Sequence, residues 1–312
     1  MTTTTRTHNK TTRAARGPKR REPEGRPWWP APVAVLVILV VGAAVAVLAT
    51  RDGGDPAAAA GLPRTPDYHS LLVSPDDPRR LTLGTHDGLF RSTDGGLTWE
   101  RAALAGEEAM NLSQPGGGRA VWVAGHDVLA RSRDGGLSWA EVRPDGLPGL
   151  DIHGFAVDPL RPASVYAAVA GQGLYRSSDG GETFSLVTRE VGAGVFALAV
   201  LRDGTLLAGD LQHGALLRSV DGGSAWEVAV RDEIVGLAAR PDGRVLASAA
   251  SGVLLSTDGG ASWRRALRHA AGTGPIAWAP GEAGVAYVVG LDGSLHRSDD
   301  GGQTWAPVVE AS

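Results

Sequence analysis

From residue 68 onward, short apolar runs alternate with polar turns rich in Gly, Pro and Asp. In the first such stretch the runs cover residues 69–73, 80–85, 89–91 and 98–102. Apolar runs this short, bounded by turn residues, predict β-strands. The second run of the group returns at residues 120–124, 164–168, 205–208, 244–249 and 285–289. We therefore expect an all-β domain that is built from one repeated unit.

The repeat is marked by an octet that first occurs as Ser-Thr-Asp-Gly-Gly-Leu-Thr-Trp at residues 92–99. Five further copies begin at Ser132, Ser177, Ser219, Ser256 and Ser298. Successive copies are 40, 45, 42, 37 and 42 residues apart. A period of this size is typical of propellers, solenoids and repeat arrays. Six copies, each between the third and fourth runs of its group, predict a six-bladed β-propeller that covers residues 68–312.

The octet has the composition of a tight turn. Its Asp can accept hydrogen bonds from the backbone ahead of it, and its two Gly residues tolerate angles that other residues resist. The Trp begins the next strand, where we expect its ring to be buried. The aspartates are therefore predicted to be structural: Asp94, Asp134, Asp179, Asp221, Asp258 and Asp300.

The N-terminal region has a different character. Residues 31–49 contain no charged side chain. A run of this length is about long enough to span a bilayer as a helix. Trp28 and Trp29 stand just before this run, at the place where aromatic rings favour the membrane interface. We predict a disordered basic arm at residues 1–29, a transmembrane helix at 30–50 and a flexible linker at 51–67. A cleaved signal peptide is the alternative.

Charge is divided unevenly along the chain. Residues 1–27 carry eight Lys or Arg and two Glu, a net charge of +6, which leaves 22 basic and 32 acidic residues, a net charge of −10, for the rest. The basic arm places the N-terminus in the cytoplasm and the propeller outside a bacterial-type cell membrane. An acidic propeller argues against nucleic acid as its partner. The chain has no Cys, which excludes disulfides and thiolate chemistry.

Histidines gather on one predicted face of the propeller. If the innermost strand comes first in each blade, the boxes lie on one face, and the links between blades and the turns between second and third strands lie on the other. His69 and His153 open inner strands and are the pair expected to point inward, while His86, His126 and His213 occupy turns of the same face. The predicted ligand-binding residues are His69, His86, Asp87, His126, Asp127, His153 and His213.

Imidazoles and carboxylates around a channel mouth are suited to a polar ligand or a metal ion. The competing interpretation is that they are solvated turn residues made alike by duplication of the blades. We expect no cofactor, and a metal on this face remains an open alternative. Three ring nitrogens within about 4 Å of one point would favour a metal.

Enzymatic activity is the weaker interpretation. A glycoside hydrolase needs two carboxylates about 5–10 Å apart. The same face offers many that cannot be ranked by sequence: Asp87, Asp127, Asp151, Asp210, Asp292, Glu107, Glu108 and Glu233. The box aspartates are excluded as catalysts because they lie on the opposite face.

The octet resembles the Asp-box, or BNR repeat, of sialidases and many other β-propellers. The sialidase pattern also has arginines that clamp a carboxylate, and the first inner strand, Tyr-His-Ser-Leu-Leu at residues 68–72, carries no Arg. Residues 85–92 and 152–159 are similar to short bacterial membrane-attached proteins that are described as glycosyl hydrolase-like. That resemblance covers residues 68–309 and implies a propeller of six or seven blades outside the membrane. The repeats also resemble the photosystem assembly factor type of propeller, which binds a membrane protein partner.

Together these patterns predict a single-pass membrane protein with an extracytoplasmic propeller. We expect the propeller to bind a glycan, an envelope polymer or a protein partner through the face opposite the boxes. The alternative is a glycoside hydrolase that uses carboxylates on that face.

Overall fold

The structure, a computed structural model, describes residues 59–192 and 194–311. The predicted basic arm, membrane helix and first part of the linker lie outside these residues. No helix in the described ranges has the length and apolar character needed to cross a bilayer. The described strands form six antiparallel sheets in which neighbours in sequence are neighbours in space. The prediction of an all-β, six-bladed propeller is confirmed.

The strands of the first three blades lie in chain order from the channel outward, except for β1. The first blade contains β1 (Ala59–Ala60), β2 (Tyr68–Val73), β3 (Leu81–Thr85), β4 (Gly88–Ser92) and β5 (Thr98–Ala103). The second contains β6 (Glu108–Ser113), β7 (Val121–His126), β8 (Leu129–Ser132) and β9 (Ala140–Glu141), with a 3₁₀ turn at Pro115–Gly117. The third contains β10 (Ile152–Val157), β11 (Val165–Val169), β12 (Gly173–Ser177) and β13 (Ser185–Thr188).

The last three blades repeat the same order. The fourth contains β14 (Val195–Val200), β15 (Leu206–Asp210), β16 (Ala215–Ser219) and β17 (Glu227–Val230). The fifth contains β18 (Ile234–Ala239), β19 (Val245–Ala249), β20 (Gly252–Ser256) and β21 (Arg264–Arg268). The sixth contains β22 (Thr273–Trp278), β23 (Ala286–Gly290), β24 (Leu295–Ser298) and β25 (Ala306–Val309).

The ring closes by packing of the sixth blade against the first. Leu83 of β3 and Tyr287 and Val289 of β23 are fully buried in one apolar cluster. Similar clusters of Val, Leu, Ala and aromatic residues fill the spaces between the other blades. Because every sheet is buried on both faces, the middle strands are almost continuously apolar instead of alternating.

The N-terminal edge of the propeller includes a short strand that was not predicted from the sequence. Ala59 and Ala60 pair with Trp99 and Thr98 and so form β1 on the outer edge of the first blade. Leu62, just after β1, is buried in the cluster that joins the sixth blade to the first. The end of the segment predicted as a linker is thus attached to the ring at the position where it closes.

Each box forms the turn between the third and fourth strands of its blade. In the first box, Ser92 Oγ donates to Asp94 Oδ1 (2.8 Å), and the backbone amides of Leu97 and Thr98 donate to the same oxygen (both 3.0 Å). Thr98 Oγ1 donates to Asp94 Oδ2 at 2.6 Å. The glycines between them have φ of 82° and 94°, a region that side chains resist. Both oxygens of the aspartate are therefore used to hold the turn.

Candidate functional site

A bulge at the start of the innermost strand recurs in all six blades. In β2 the pairing with β3 slips between Tyr68 and Ser70, which leaves His69 as the extra residue. In β10 the slip lies between Ile152 and Gly154, which leaves His153 in the equivalent place. A bulge turns the side chain of its extra residue away from the regular alternation. This device lets both histidines face the mouth of the channel even though they belong to buried strands.

Three histidines contact the carboxylate of Glu108, the first residue of β6. His126 Nδ1 lies 2.6 Å from Oε2 and forms a hydrogen bond. His69 Nε2 and His86 Nδ1 lie 3.3 and 3.2 Å from Oε1, at ion-pair distance. The contact from His69 is not aligned as a full hydrogen bond. Residues of the first and second blades thus meet at one partly buried anion.

His126 extends the group to the third blade. Its Nε2 atom lies 2.8 Å from Nε2 of His153 and 3.2 Å from Oδ1 of Asp151. The remaining side of this triangle, from His153 Nε2 to Asp151 Oδ1, measures 3.1 Å. Asn111 supports the position from the second blade, because its side-chain amide donates to the backbone oxygen of His153 (3.0 Å).

We refer to the residues that meet at this mouth as the histidine cluster: Asp67, His69, His86, Glu108, His126, Asp151 and His153. Its deep members are His69, His153 and Glu108, whose side chains are 16%, 15% and 16% exposed. Its outer members are His86, His126 and Asp151, which are 49%, 42% and 56% exposed and therefore accessible to a ligand.

The protonation of the deep residues follows from their neighbours. The neighbouring histidines, His69 first and then His126 and His86, lower the pKa of Glu108 to about 2, although burial acts in the opposite direction. Burial lowers the pKa of His153, and Asp151 opposes this effect only in part. Near neutral pH Glu108 is therefore an anion and His153 a neutral imidazole.

The other predicted ligand-binding residues, Asp87, Asp127 and His213, lie outside the histidine cluster. Asp87 contributes its backbone oxygen to the turn, where it accepts from the amide of Gly106 (3.2 Å). Asp127 is exposed and holds a left-handed φ of 56° in the turn after β7. His213 lies in the fourth blade, with its Nδ1 2.8 Å from Oδ2 of the buried Asp210. The sequence motif shared by these turns did not distinguish the blades that contribute to the cluster.

Three members of the cluster, Asp67, Glu108 and Asp151, were not among the predicted ligand-binding residues. Glu108 and Asp151 were recognised as carboxylates of the correct face, but no sequence signal separated them from the other acidic residues there. Each stands immediately before or at the start of an inner strand, next to a bulge. Position relative to the bulge is thus the signal that could have selected them.

A smaller polar group lies in the sixth blade. Ser294 Oγ donates to Asp292 Oδ1 (2.7 Å) and lies 3.2 Å from Nε2 of both His269 and His296. His296 is in β24. Burial lowers the pKa of His296, which favours its neutral form.

Two sets of residues within the histidine cluster have the spacing of metal ligands. They are Asp67 with His69 and His86, and His126 with Asp151 and His153. In each set the ligand atoms lie within 4.8 Å of one another. The cluster can therefore act through hydrogen bonds and charge, or through a bound ion.

Comparison with known proteins places the fold in a family. The family model described as photosynthesis system II assembly factor YCF48 matches residues 72–312, from the first inner strand to the C-terminus. The chain belongs to the YCF48 family. Of the relatives suggested by the repeats, the photosystem assembly factor type is the one this match supports.

Relatives of this YCF48 family member share parts of the chain or only its fold. The dispase autolysis-inducing protein of Streptomyces mobaraensis is 30% identical over 146 residues, which are 46% of this chain and 38% of that protein. A structure of YCF48 bound to a D1 peptide is 21% identical, with a TM-score of 0.51 over 81% of this chain and 82% of its own. A GH74 xyloglucanase from Xanthomonas campestris is 18% identical, with a TM-score of 0.58 over 82% of this chain and 46% of its own. At these identities the two structures establish the propeller fold alone.

Proposed function

We propose that this chain is a membrane-anchored propeller that binds a protein partner outside the membrane, through the channel mouth that carries the histidine cluster. The observation that carries the proposal is the convergence of three blades on one accessible group of imidazoles and carboxylates. Such groups provide directional hydrogen bonds and charge for recognition. Membership of the YCF48 family supports a protein as the partner, since a structure of YCF48 contains a D1 peptide.

Different blades present polar and apolar side chains at the channel mouth. The first three blades present the histidine cluster, whereas the extra residues at the bulges of the fourth and fifth blades are Phe196 and Val235. Both are half-buried and line the same channel as His69, and the Phe196 ring packs against His153 (centroids 4.6 Å apart). A partner segment that carries an apolar side chain beside a basic one fits this division. Its cation would meet Glu108 or Asp151, and its apolar group would cover Phe196.

The membrane anchor belongs to the proposal. Residues 30–50 would hold the propeller at the outer surface of the membrane, and the acidic propeller would recognise a segment exposed there. Digestion by protease added outside intact cells, together with retention in carbonate-washed membranes, tests this arrangement. A propeller released by the wash would contradict it.

Photocrosslinking tests the partner-binding face. A photoreactive residue at the exposed position of His86 or Asp151 should give a protein adduct in whole membranes, and His126→Ala in the same chain should remove it. Exposed positions on the box face, Thr183 and Ser262, serve as controls. Equal adducts from both faces would overturn the assignment of the face. An adduct digested by glycosidases but not by proteases would instead identify a glycan or envelope polymer.

A glycoside hydrolase remains the second candidate from sequence. The structure restricts it, because a general acid must be protonated near the working pH. Glu108, with a pKa of about 2, does not meet this requirement. The acid would have to be another carboxylate of the face, with Glu108 limited to the role of an anion.

A further inference from the structure

We propose that His126, Asp151 and His153 form a binding site for a Zn²⁺ ion. The three ligand atoms, His126 Nε2, His153 Nε2 and Asp151 Oδ1, form a triangle with sides of 2.8, 3.2 and 3.1 Å. Tetrahedral Zn²⁺ with bonds of about 2 Å separates its ligand atoms by about 3.3 Å. An ion just above the triangle would reach all three atoms after an expansion of a few tenths of an ångström.

The hydrogen bonds around the triangle favour the lone pairs that a metal requires. His126 Nδ1 is engaged by Glu108 Oε2 at 2.6 Å, so the ring proton belongs on Nδ1 and the lone pair on Nε2. A carboxylate behind a ligating histidine is the usual outer partner of zinc sites, where it fixes ring orientation and tautomer. Glu108 is accordingly a positioning residue, not a ligand.

The close approach of the two rings also needs explaining. Two neutral imidazoles hold their Nε2 atoms 2.8 Å apart only if a proton lies between them, because two lone pairs repel each other. Zn²⁺ can take the place of that proton once the proton moves to Nδ1 of His153, because a neutral imidazole keeps one N–H and binds a metal through its other nitrogen.

The second possible set, Asp67 with His69 and His86, is less suitable. Both of its histidines already have a ring nitrogen within 3.3 Å of Glu108 Oε1. A metal held by those same two nitrogens would displace the carboxylate that links the first two blades. The site with His126 keeps that link intact and uses Glu108 as support.

The proposed site resembles an open coordination site more than a closed structural one. Three protein ligands leave a fourth tetrahedral position. His126 and Asp151 are 42% and 56% exposed, so this position faces solvent. Within the described residues, His153 Nδ1 is buried without a hydrogen-bond partner. Since this second histidine lacks the support that His126 receives, we expect weaker binding than in zinc sites whose histidines are all supported.

Titration calorimetry with ZnCl₂ on the full-length protein in detergent tests the proposal. We expect saturable binding, and at least ~100-fold weaker binding in His126→Ala and His153→Ala. Glu108→Gln should weaken binding by about 10–100-fold while the cobalt-substituted protein keeps its tetrahedral absorption bands. The matched control is His296→Ala, a half-buried histidine of the sixth blade, which should bind as the wild type does.

Asp151→Asn separates loss of binding from misfolding, because this exposed side chain can be replaced without disturbing the core. It should bind Zn²⁺ at least ~10-fold more weakly while its metal-free melting temperature stays the same. Equal binding in wild type, His126→Ala and Asp151→Asn would overturn the site, as would the lack of saturable binding to the wild type. Loss of binding in His296→Ala alone would move the metal to the sixth blade and refute the proposal.

Discussion

The backbone oxygen of Glu108 lies directly against Gly125, in the space where any other residue would carry its Cβ. Gly125 is in β7 opposite the bulge of β6, one residue before His126. Its missing side chain therefore lets the two strands approach where Glu108 and His126 must form their hydrogen bond. This contact connects the stability of the second blade with the geometry of the histidine cluster.

We expect Gly125→Ala to lower stability by about 1–3 kcal/mol, since the methyl group has to push backbone atoms apart. It should also weaken binding at the cluster by displacing Glu108 relative to His126. Thermal unfolding and zinc calorimetry measure the two effects. Gly149→Ala is the control, because a Cβ there would meet no atom within 4 Å. Equal melting temperatures for the two variants would show that β6 shifts without cost.

The histidines at the outer edge of the cluster should affect binding more than folding. His86 and His126 are 49% and 42% exposed, so their replacement by Ala leaves no buried cavity. For the double variant we expect the protein adduct at Asp151 to disappear and the melting temperature to change by no more than ~2 °C. A fall in melting temperature as large as that of Gly125→Ala would indicate a structural role.

The attachment of the N-terminal edge provides another test. Leu62 is 9% exposed and packs in the cluster where the sixth blade meets the first. Leu62→Ala should lower the free energy of unfolding by about 2 kcal/mol. This is near the lower end of the range for replacing a buried Leu by Ala, because the site is at the edge of the ring. The melting temperature should fall by ~4–8 °C. Leu160→Ala, at a Leu that is 54% exposed, should change it little. The same result for both would mean that the segment near β1 does not support closure.

The fold could be predicted because it depends on local chemistry. Ser92, Asp94 and the glycines between them and Trp99 form a self-contained turn, and its six copies reveal the number of blades. The inward direction of His69 and His153 also followed from sequence, since each opens an inner strand. These inferences needed only order along the chain and the face on which each turn lies.

The composition of the cluster could not be predicted, because it depends on register and on which blades are adjacent. The one-residue slip between Glu108 and Asn111 brings Glu108 opposite His126, and hydrophobic alternation carries no sign of such a slip. His213 follows the second strand of its blade, near the position that His126 takes at the end of β7, yet it bonds to Asp210 of its own blade. The strand β1 was missed for a related reason, because two alanines carry no strand signal without the partner edge of β5.

The boxes should make the propeller sensitive to acid. Hydrogen bonds from the Ser262 hydroxyl and amide, and from Ser256, lower the pKa of Asp258 to about 2. A carboxyl with a lowered pKa stabilises the fold above its unfolded pKa of about 4, and this contribution is lost as the pH falls toward 2. Both carboxylate oxygens of Asp258 accept hydrogen bonds, whereas only one side-chain atom of an asparagine can do so. Asp258→Asn should therefore lower the melting temperature by roughly 2–4 °C at pH 7. The difference from wild type should shrink between pH 4 and pH 2. Glu282→Gln, at an exposed residue between β22 and β23, is the control and should show no such trend. A difference that stays constant down to pH 2 would show that the ionised carboxylate does not hold the turn.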